Sequence, residues 1–143
     1  MRNKVPQLIE GAIFRDDRGT ISSCNGFNMS DVQRMYMIAP ASAGLVRAWQ
    51  GHKLEEKWFF CVDGSFEIKL VGIDDFENPA DNLFVQNFSL EAGLPQVLFI
   101  PGGYANGFKA SSENSRLIVF SNFNLTQSTA DDFRYPADKW NVW

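Results

Sequence analysis

Histidine is nearly missing from this chain: His52 is the only one in 143 residues. A zinc, iron or copper site built from two or three imidazoles of one chain is thereby excluded. Cysteine is almost as scarce. Cys24 and Cys61 lie far apart with no C-x-x-C spacing, so a Cys/His zinc site is not expected, and two unpaired thiols suit a reducing cytoplasm. No run approaches the roughly 18 apolar residues of a membrane span. The opening MRNKVPQLIEGAIF has no apolar stretch of signal-peptide length, so a cytoplasmic location without a membrane partner is expected. Basic residues are outnumbered as well, 13 Lys plus Arg against 17 Asp plus Glu, for a net charge of −4. Nucleic-acid binders show the opposite balance, and that partner is set aside. Helical periodicity is confined to residues 128–133 and the last few positions.

Aromatic residues, by contrast, make up 14% of the chain, thirteen of them Phe, which favours strands and a lined cavity. Strand-like runs recur between Gly, Pro, Asn and Asp: residues 32–39 (VQRMYMIA), 44–49 (GLVRAW), 82–90 (NLFVQNFSL), 96–100 (QVLFI) and 116–123 (RLIVFSNF). Residues 57–62 (KWFFCV) and 65–73 (SFEIKLVGI), joined at Asp63-Gly64, read as a hairpin with D-G as its turn. Seven or more short strands at this spacing predict one all-β domain over residues 1–143, an antiparallel jelly roll with a mouth for a small ligand.

Three segments carry chemistry: residues 14–19 (FRDDRG), 46–53 (VRAWQGHK) and 100–108 (IPGGYANGF). On a strand, residues two apart share a face, so Gln50 and His52 point the same way, with Lys57 on the next strand. An imidazole beside an ammonium group stays neutral and can accept a proton, while the lysine can stabilise an oxyanion. That pair suits proton abstraction next to a carbonyl. A lone histidine at a strand end is equally a hydrogen-bonded structural residue, and the spacing leaves both roles open. Arg18, Arg47 and Lys57 are each open to a surface ion-pair role. Trp49, Tyr36 and Tyr104 are open to stacking on a sugar or base as well as to core packing; for Trp58 core packing is expected. Glu55-Glu56 reads as a solvated turn, and Cys61 as a buried small hydrophobe.

The order F-x-D-x-R-G, V-R, K-x-x-x-V-x-G-S-F and I-P-x-G-Y-A-x-G-F resembles the cupin nucleotide-sugar enzymes, from about Phe14 to Trp140. These are the dTDP-4-dehydrorhamnose 3,5-epimerases and the WxcM-like dTDP-sugar 3,4-ketoisomerases. The resemblance implies a cupin barrel, a homodimer, a nucleotide-diphosphate sugar as ligand and no cofactor. It places Arg18 and Arg47 on the diphosphate, and a guanidinium fork suits that group. It places Lys57 beside the reacting centre. Residues 132–140 (DFRYPADKW) resemble the family's closing segment. At the family's catalytic histidine this chain has Gln50, its P-x-G-F-A-H histidine is Asn106, and its tyrosine proton donor falls at Phe123. Of the ketoisomerase motif R-G-x-H-x-H only the second histidine survives, as His52. The resemblance thus implies an epimerase or ketoisomerase acting at one centre, with His52 and Lys57 catalytic and Arg18, Arg47, Trp49, Gln50, Tyr104 and Asn106 on the substrate. The alternatives are an inactive cupin that keeps only the sugar-nucleotide pocket, and a metal-dependent cupin. The cupin metal signature is reduced to Gln50, His52, Glu55 or Glu56, and Asn106, whose amide oxygens are poor transition-metal ligands, so no metal is expected.

Overall fold

The computed structural model describes residues 4–143. Its strands are β1 (Gln7–Glu10), β2 (Ala12–Asp16), β3 (Gly19–Ser23), β4 (Arg34–Ile38), β5 (Arg47–His52), β6 (Lys57–Asp63), β7 (Ser65–Gly72), β8 (Val85–Glu91), β9 (Gln96–Ile100), β10 (Tyr104–Ala110), β11 (Arg116–Ser121) and β12 (Phe133–Arg134). One short helix, α1 (Leu125–Thr129), is closed by a capping box in which Asn124 and Gln127 satisfy each other's backbone N–H. Two five-stranded antiparallel sheets, ordered β1-β9-β6-β11-β4 and β12-β5-β10-β7-β8, face each other, and β2–β3 forms a separate hairpin. This is the all-β cupin jelly roll expected from the sequence.

Alternation builds the interior. Phe59 and Cys61 of β6, Leu98 and Ile100 of β9, and Leu117 and Val119 of β11 face Phe66, Ile68 and Leu70 of β7 and Phe108 of β10. A second cluster lies outside the second sheet. There Trp49, Val71 and Ala105 are covered by the C-terminal segment through Trp140, Val142 and Trp143.

The expected hairpin at Asp63-Gly64 is not one. β6 pairs with β9 and β11, whereas β7 pairs with β8 and β10, so the two strands belong to opposite sheets. Both carry apolar residues toward the shared interior, and the chain turns a corner between layers instead of folding back in one. Gly64 makes the corner at φ 69°, with the Ser115 hydroxyl where a Cβ would stand. Ser115 Oγ meanwhile accepts from the backbone N–H of Ser65 at 3.1 Å.

The run 44–49 is also displaced: the strand is β5, Arg47–His52, and it continues through the histidine. A register shift against β10 sets Arg47 opposite Phe108, Gln50 opposite Asn106 and His52 opposite Tyr104. Tyr104 and Phe108 face the interior. The bulge therefore turns Arg47, Gln50 and His52 to one face, although the first two are an odd three positions apart.

Candidate active site

A cavity of 790 Å³ opens at one end of the barrel between the two sheets. β4 contributes Arg34 and Tyr36, β5 contributes Arg47 and Gln50, β6 contributes Lys57, β10 contributes Asn106, and the segment around β12 contributes Asp132 and Arg134. Four cationic side chains thus meet one carboxylate, in a chain whose overall balance is acidic.

The polar groups are tied together. Gln50 Oε1 accepts from Lys57 Nζ at 3.1 Å, and Gln50 Nε2 donates to Asp132 Oδ1 at 3.3 Å. Asp132 also accepts from Arg134 Nε at 2.8 Å, and Asn106 Nδ2 donates to the Gln50 carbonyl at 3.3 Å. Lys57 Nζ stands 5.7 Å from the centre of the Tyr36 ring. Burial pushes Lys57 down to about 8: Arg34 and Arg134 push the same way, against Glu55 and Asp132. Burial likewise pushes the Tyr36 hydroxyl up to about 12.

Behind the cavity lies a sealed polar cluster centred on Glu55. Its carboxylate has no solvent exposure and accepts from Ser128 Oγ at 2.7 Å, from Ser121 Oγ, and from Arg34 Nη2 at 3.0 Å. The solvated turn expected at Glu55-Glu56 is therefore half wrong. Glu56 pairs at 2.8 Å with the exposed Lys4, while Glu55 turns into the barrel. Burial alone would raise the Glu55 pKa. The hydroxyl of Ser121, the nearby His52 and Lys57, and the Ser128 hydroxyl outweigh it and hold the carboxyl below its ordinary range.

His52 belongs to that cluster. It is 3% exposed and absent from the cavity lining. Its Nδ1 lies 2.6 Å from the backbone carbonyl of Asp131 and 3.4 Å from Glu55 Oε1. A carbonyl can only accept, so Nδ1 carries the proton and Nε2 is the bare nitrogen, buried without a partner among the described residues. Burial and then Lys57 lower its pKa, opposed by Glu55 and Asp131. The Asp131 carboxylate fixes the turn after His52 by accepting the backbone N–H groups of Lys53, Leu54 and Glu55 at 2.8–2.9 Å.

Of the residues singled out in the sequence, the cavity gathers Tyr36, Arg47, Trp49, Gln50, Lys57 and Asn106. Trp49 reaches it with 1% exposure. Its indole packs on Trp140 and Trp143 and donates to the Lys139 carbonyl, which leaves no ring face for a sugar or base. Tyr104 is buried in the interior cluster and does not line the cavity. Arg18 sits at the tip of the β2–β3 hairpin, its side chain 82% exposed and paired with Asp16, away from the cavity of its own chain. Trp58 packs on Phe27 and Phe99, as expected of a core residue. Among the described residues no group of three His, Cys, Asp or Glu side chains is placed to hold a metal ion.

Sequence reasoning did not single out Arg34, Asp132 and Arg134. Arg34 was visible in the alternation R-M-Y-M-I, which sets it on the face of Tyr36 and Ile38. Arg134 and Asp132 lie within the closing segment 132–140, whose overall likeness drew attention away from its individual charges.

Comparison with known proteins decides the family. The model of the family described as FdtA: WxcM-like, C-terminal matches residues 4–135. The chain belongs to this family. Comparison of the sequence with curated proteins gives no match. Solved structures share the fold. The rmlC epimerase of Mycobacterium tuberculosis is 21% identical with a TM-score of 0.77, over 96% of this chain and 74% of that one. The sugar 3,4-ketoisomerase QdtA from Thermoanaerobacterium thermosaccharolyticum, solved with TDP, is 18% identical with a TM-score of 0.70, over 95% and 92%. ChmJ, a 3'-monoepimerase from Streptomyces bikiniensis solved with dTDP-quinovose, is 13% identical with a TM-score of 0.78, over 96% and 74%. Among the described residues of this WxcM-like chain, no helix is long and apolar enough to cross a membrane.

Proposed function

We propose that the cavity binds a nucleotide-diphosphate sugar of the dTDP-4-keto-6-deoxyhexose class. The chain then epimerises or isomerises it by proton abstraction next to the ketone, in deoxysugar synthesis for cell-surface polysaccharide in the cytoplasm. The observation that carries this reading is the convergence of Arg34, Arg47, Lys57 and Arg134 on one cavity of an acidic member of this family. Arg47 of β5 and Arg134 of the adjacent β12 both line the cavity and suit a diphosphate, whose oxygens match a guanidinium fork. Gln50 and Asn106 have amide groups for sugar hydroxyls. Lys57 on the cavity wall and His52 behind it are the two nitrogen bases of this end of the barrel. No organic cofactor is required, because the substrate's own ketone acidifies the adjacent C–H. The exposed hairpin, with Phe14 and Ile21 outward and Arg18 at its tip, supports a homodimer in which Arg18 serves the neighbouring cavity. Light scattering on the purified protein checks that mass.

Incubation with a dTDP-4-keto-6-deoxyhexose in deuterated water tests the activity. Deuterium entering the sugar ring next to the ketone is expected; tight binding with no incorporation at any pH would refute it. The burial of His52 behind the lining favours one other reading, a module that binds the nucleotide sugar without turning it over. Binding without exchange is the outcome that reading expects.

A further inference from the structure

The cavity wall offers few groups able to move a proton. Arg34, Arg47 and Arg134 present guanidinium groups, which donate and have no acceptor for a proton. Tyr36 holds its proton up to about 12. The Asp132 carboxylate is engaged by Arg134 and Gln50, which hold its pKa below the ordinary value although burial alone would raise it, so it is a weak base. His52 has its free nitrogen buried and does not line the cavity. Lys57 remains. Though 3% exposed like His52, it lines the cavity, and its Nζ donates to Gln50 Oε1, itself a lining residue. A neutral amine keeps one lone pair while donating two N–H bonds, so Nζ can hold Gln50 and still present the lone pair to the cavity.

We propose that Lys57, and not His52, takes up and returns the substrate proton, a proposal that rests on the reading of the cavity as a keto-sugar site. The Nζ lone pair accepts the proton of the C–H bond beside the ketone. The C–H electron pair moves into the new C=C bond, and the carbonyl π pair becomes the enolate oxygen's charge, opposite the guanidinium groups. The Lys57 ammonium then delivers its proton to carbon. Return to the neighbouring carbon, with the hydroxyl proton passing from one oxygen to the other, is ketoisomerisation, and nothing is consumed. The charges around Nζ bear on its readiness: Arg34 from β4 and Arg134 from β12 favour the amine, Glu55 from the turn before β6 and Asp132 from the loop before β12 oppose it, and Arg47 from β5 lines the same cavity. His52 on β5 and Tyr36 on β4 are neutral neighbours. With a pKa near 8, about one lysine in ten is neutral at pH 7.

The sign of the pH dependence separates a base from a cation. If Lys57 is the base, deuterium incorporation at limiting substrate rises with pH and levels off above about 8. If Lys57 only holds the enolate as an ammonium, incorporation falls through the same pH. The experiment is that profile, measured on the intact protein with a dTDP-4-keto-6-deoxyhexose, with dTDP affinity measured beside it. The expected result is a rise with a midpoint near 8, whose position persists in His52→Asn. Lys57→Met and Lys57→Arg are expected to lose about 10²- to 10⁴-fold in incorporation, with dTDP affinity kept within about threefold. Incorporation that falls through pH 8, or that has a midpoint below 6.5 and vanishes in His52→Asn, overturns the proposal even if a variant fails to fold. Incorporation that survives in folded Lys57→Met overturns it while sparing the keto-sugar reading. No incorporation in the unaltered protein overturns both.

Discussion

Replacing Glu55 by alanine takes the acceptor from the centre of the buried cluster. Three donors lose this acceptor at once: the Ser121 hydroxyl, which keeps only the Phe123 carbonyl at 3.4 Å, the Ser128 hydroxyl, and Arg34 Nη2, which keeps only Ser128 Oγ at 3.2 Å and whose Nε has no partner among the described residues. Breaking a fully buried ion pair by removing one member costs about 3–5 kcal/mol, because the other charge is stranded. The Arg34 side chain is 21% exposed, so water relieves part of that penalty, and we expect roughly 2–4 kcal/mol. For a chain of this length that is a fall in Tm of about 2–4 °C per kcal/mol. Glu55→Gln keeps the shape and one acceptor but loses the charge, and should cost about 1–2 kcal/mol. Glu56→Ala is the control, since its Lys4 partner is 59% exposed and such pairs contribute less than about 1 kcal/mol.

Urea unfolding of the three variants measures these differences, and its acid dependence adds an independent reading. A carboxyl whose pKa is lower folded than unfolded contributes stability that is complete above its ordinary 4.5 and fades as pH falls through the folded value. The unaltered protein should therefore lose stability below pH 4.5 more steeply than Glu55→Gln. If Glu55→Ala costs no more than Glu56→Ala and the acid limbs coincide, the cluster does not hold the barrel end together, and this reasoning fails.

Two further outcomes follow from the corner and from the imidazole. Gly64→Ala places a methyl group 2.1 Å from Ser115 Oγ at a φ of 69°, so a loss above about 2 kcal/mol is expected in urea unfolding; a change under half of that would mean the corner relaxes freely. His52 is held neutral in the fold, so the unfolded chain binds a proton first as pH falls below 6.5, and stability declines from there toward the folded pKa. His52→Asn should flatten the decline in stability just below pH 6.5; an unchanged slope there would show that the imidazole is not desolvated.

Much of the barrel was legible because period-two alternation is a local signal. QVLFI at 96–100 coincides with β9, and RLIVFSNF overlaps β11, since each run carries its own burial pattern. The partner of a strand is not local. The D-G pair at 63–64 marks a sharp turn in either topology, and only the apolar faces on both flanks, competing for one interior, send the chain to the opposite sheet. Glu55 was illegible for the same reason: the donors to its carboxylate are Ser121, Ser128 and Arg34, at separations of 66, 73 and 21 residues. Two adjacent glutamates look alike in sequence, and their different fates depend on partners contributed by β4, β11 and α1.

The scarcity of histidine then bears on mechanism through one neighbour. Where the resemblance places an imidazole, Gln50 offers an acceptor at one end and a donor at the other. It uses the first on Lys57 and the second on Asp132. An amide cannot titrate between these two, so it passes no proton; it fixes Nζ at the cavity wall without neutralising it. A carboxylate at position 50 would lie against Nζ and keep it an ammonium. A second imidazole would compete for the same proton. With glutamine there, and with the remaining imidazole sealed against the Asp131 carbonyl, the lysine is the group left to carry the proton. The residue that makes this chain look least like an enzyme is also the one that leaves Lys57 able to act as a base.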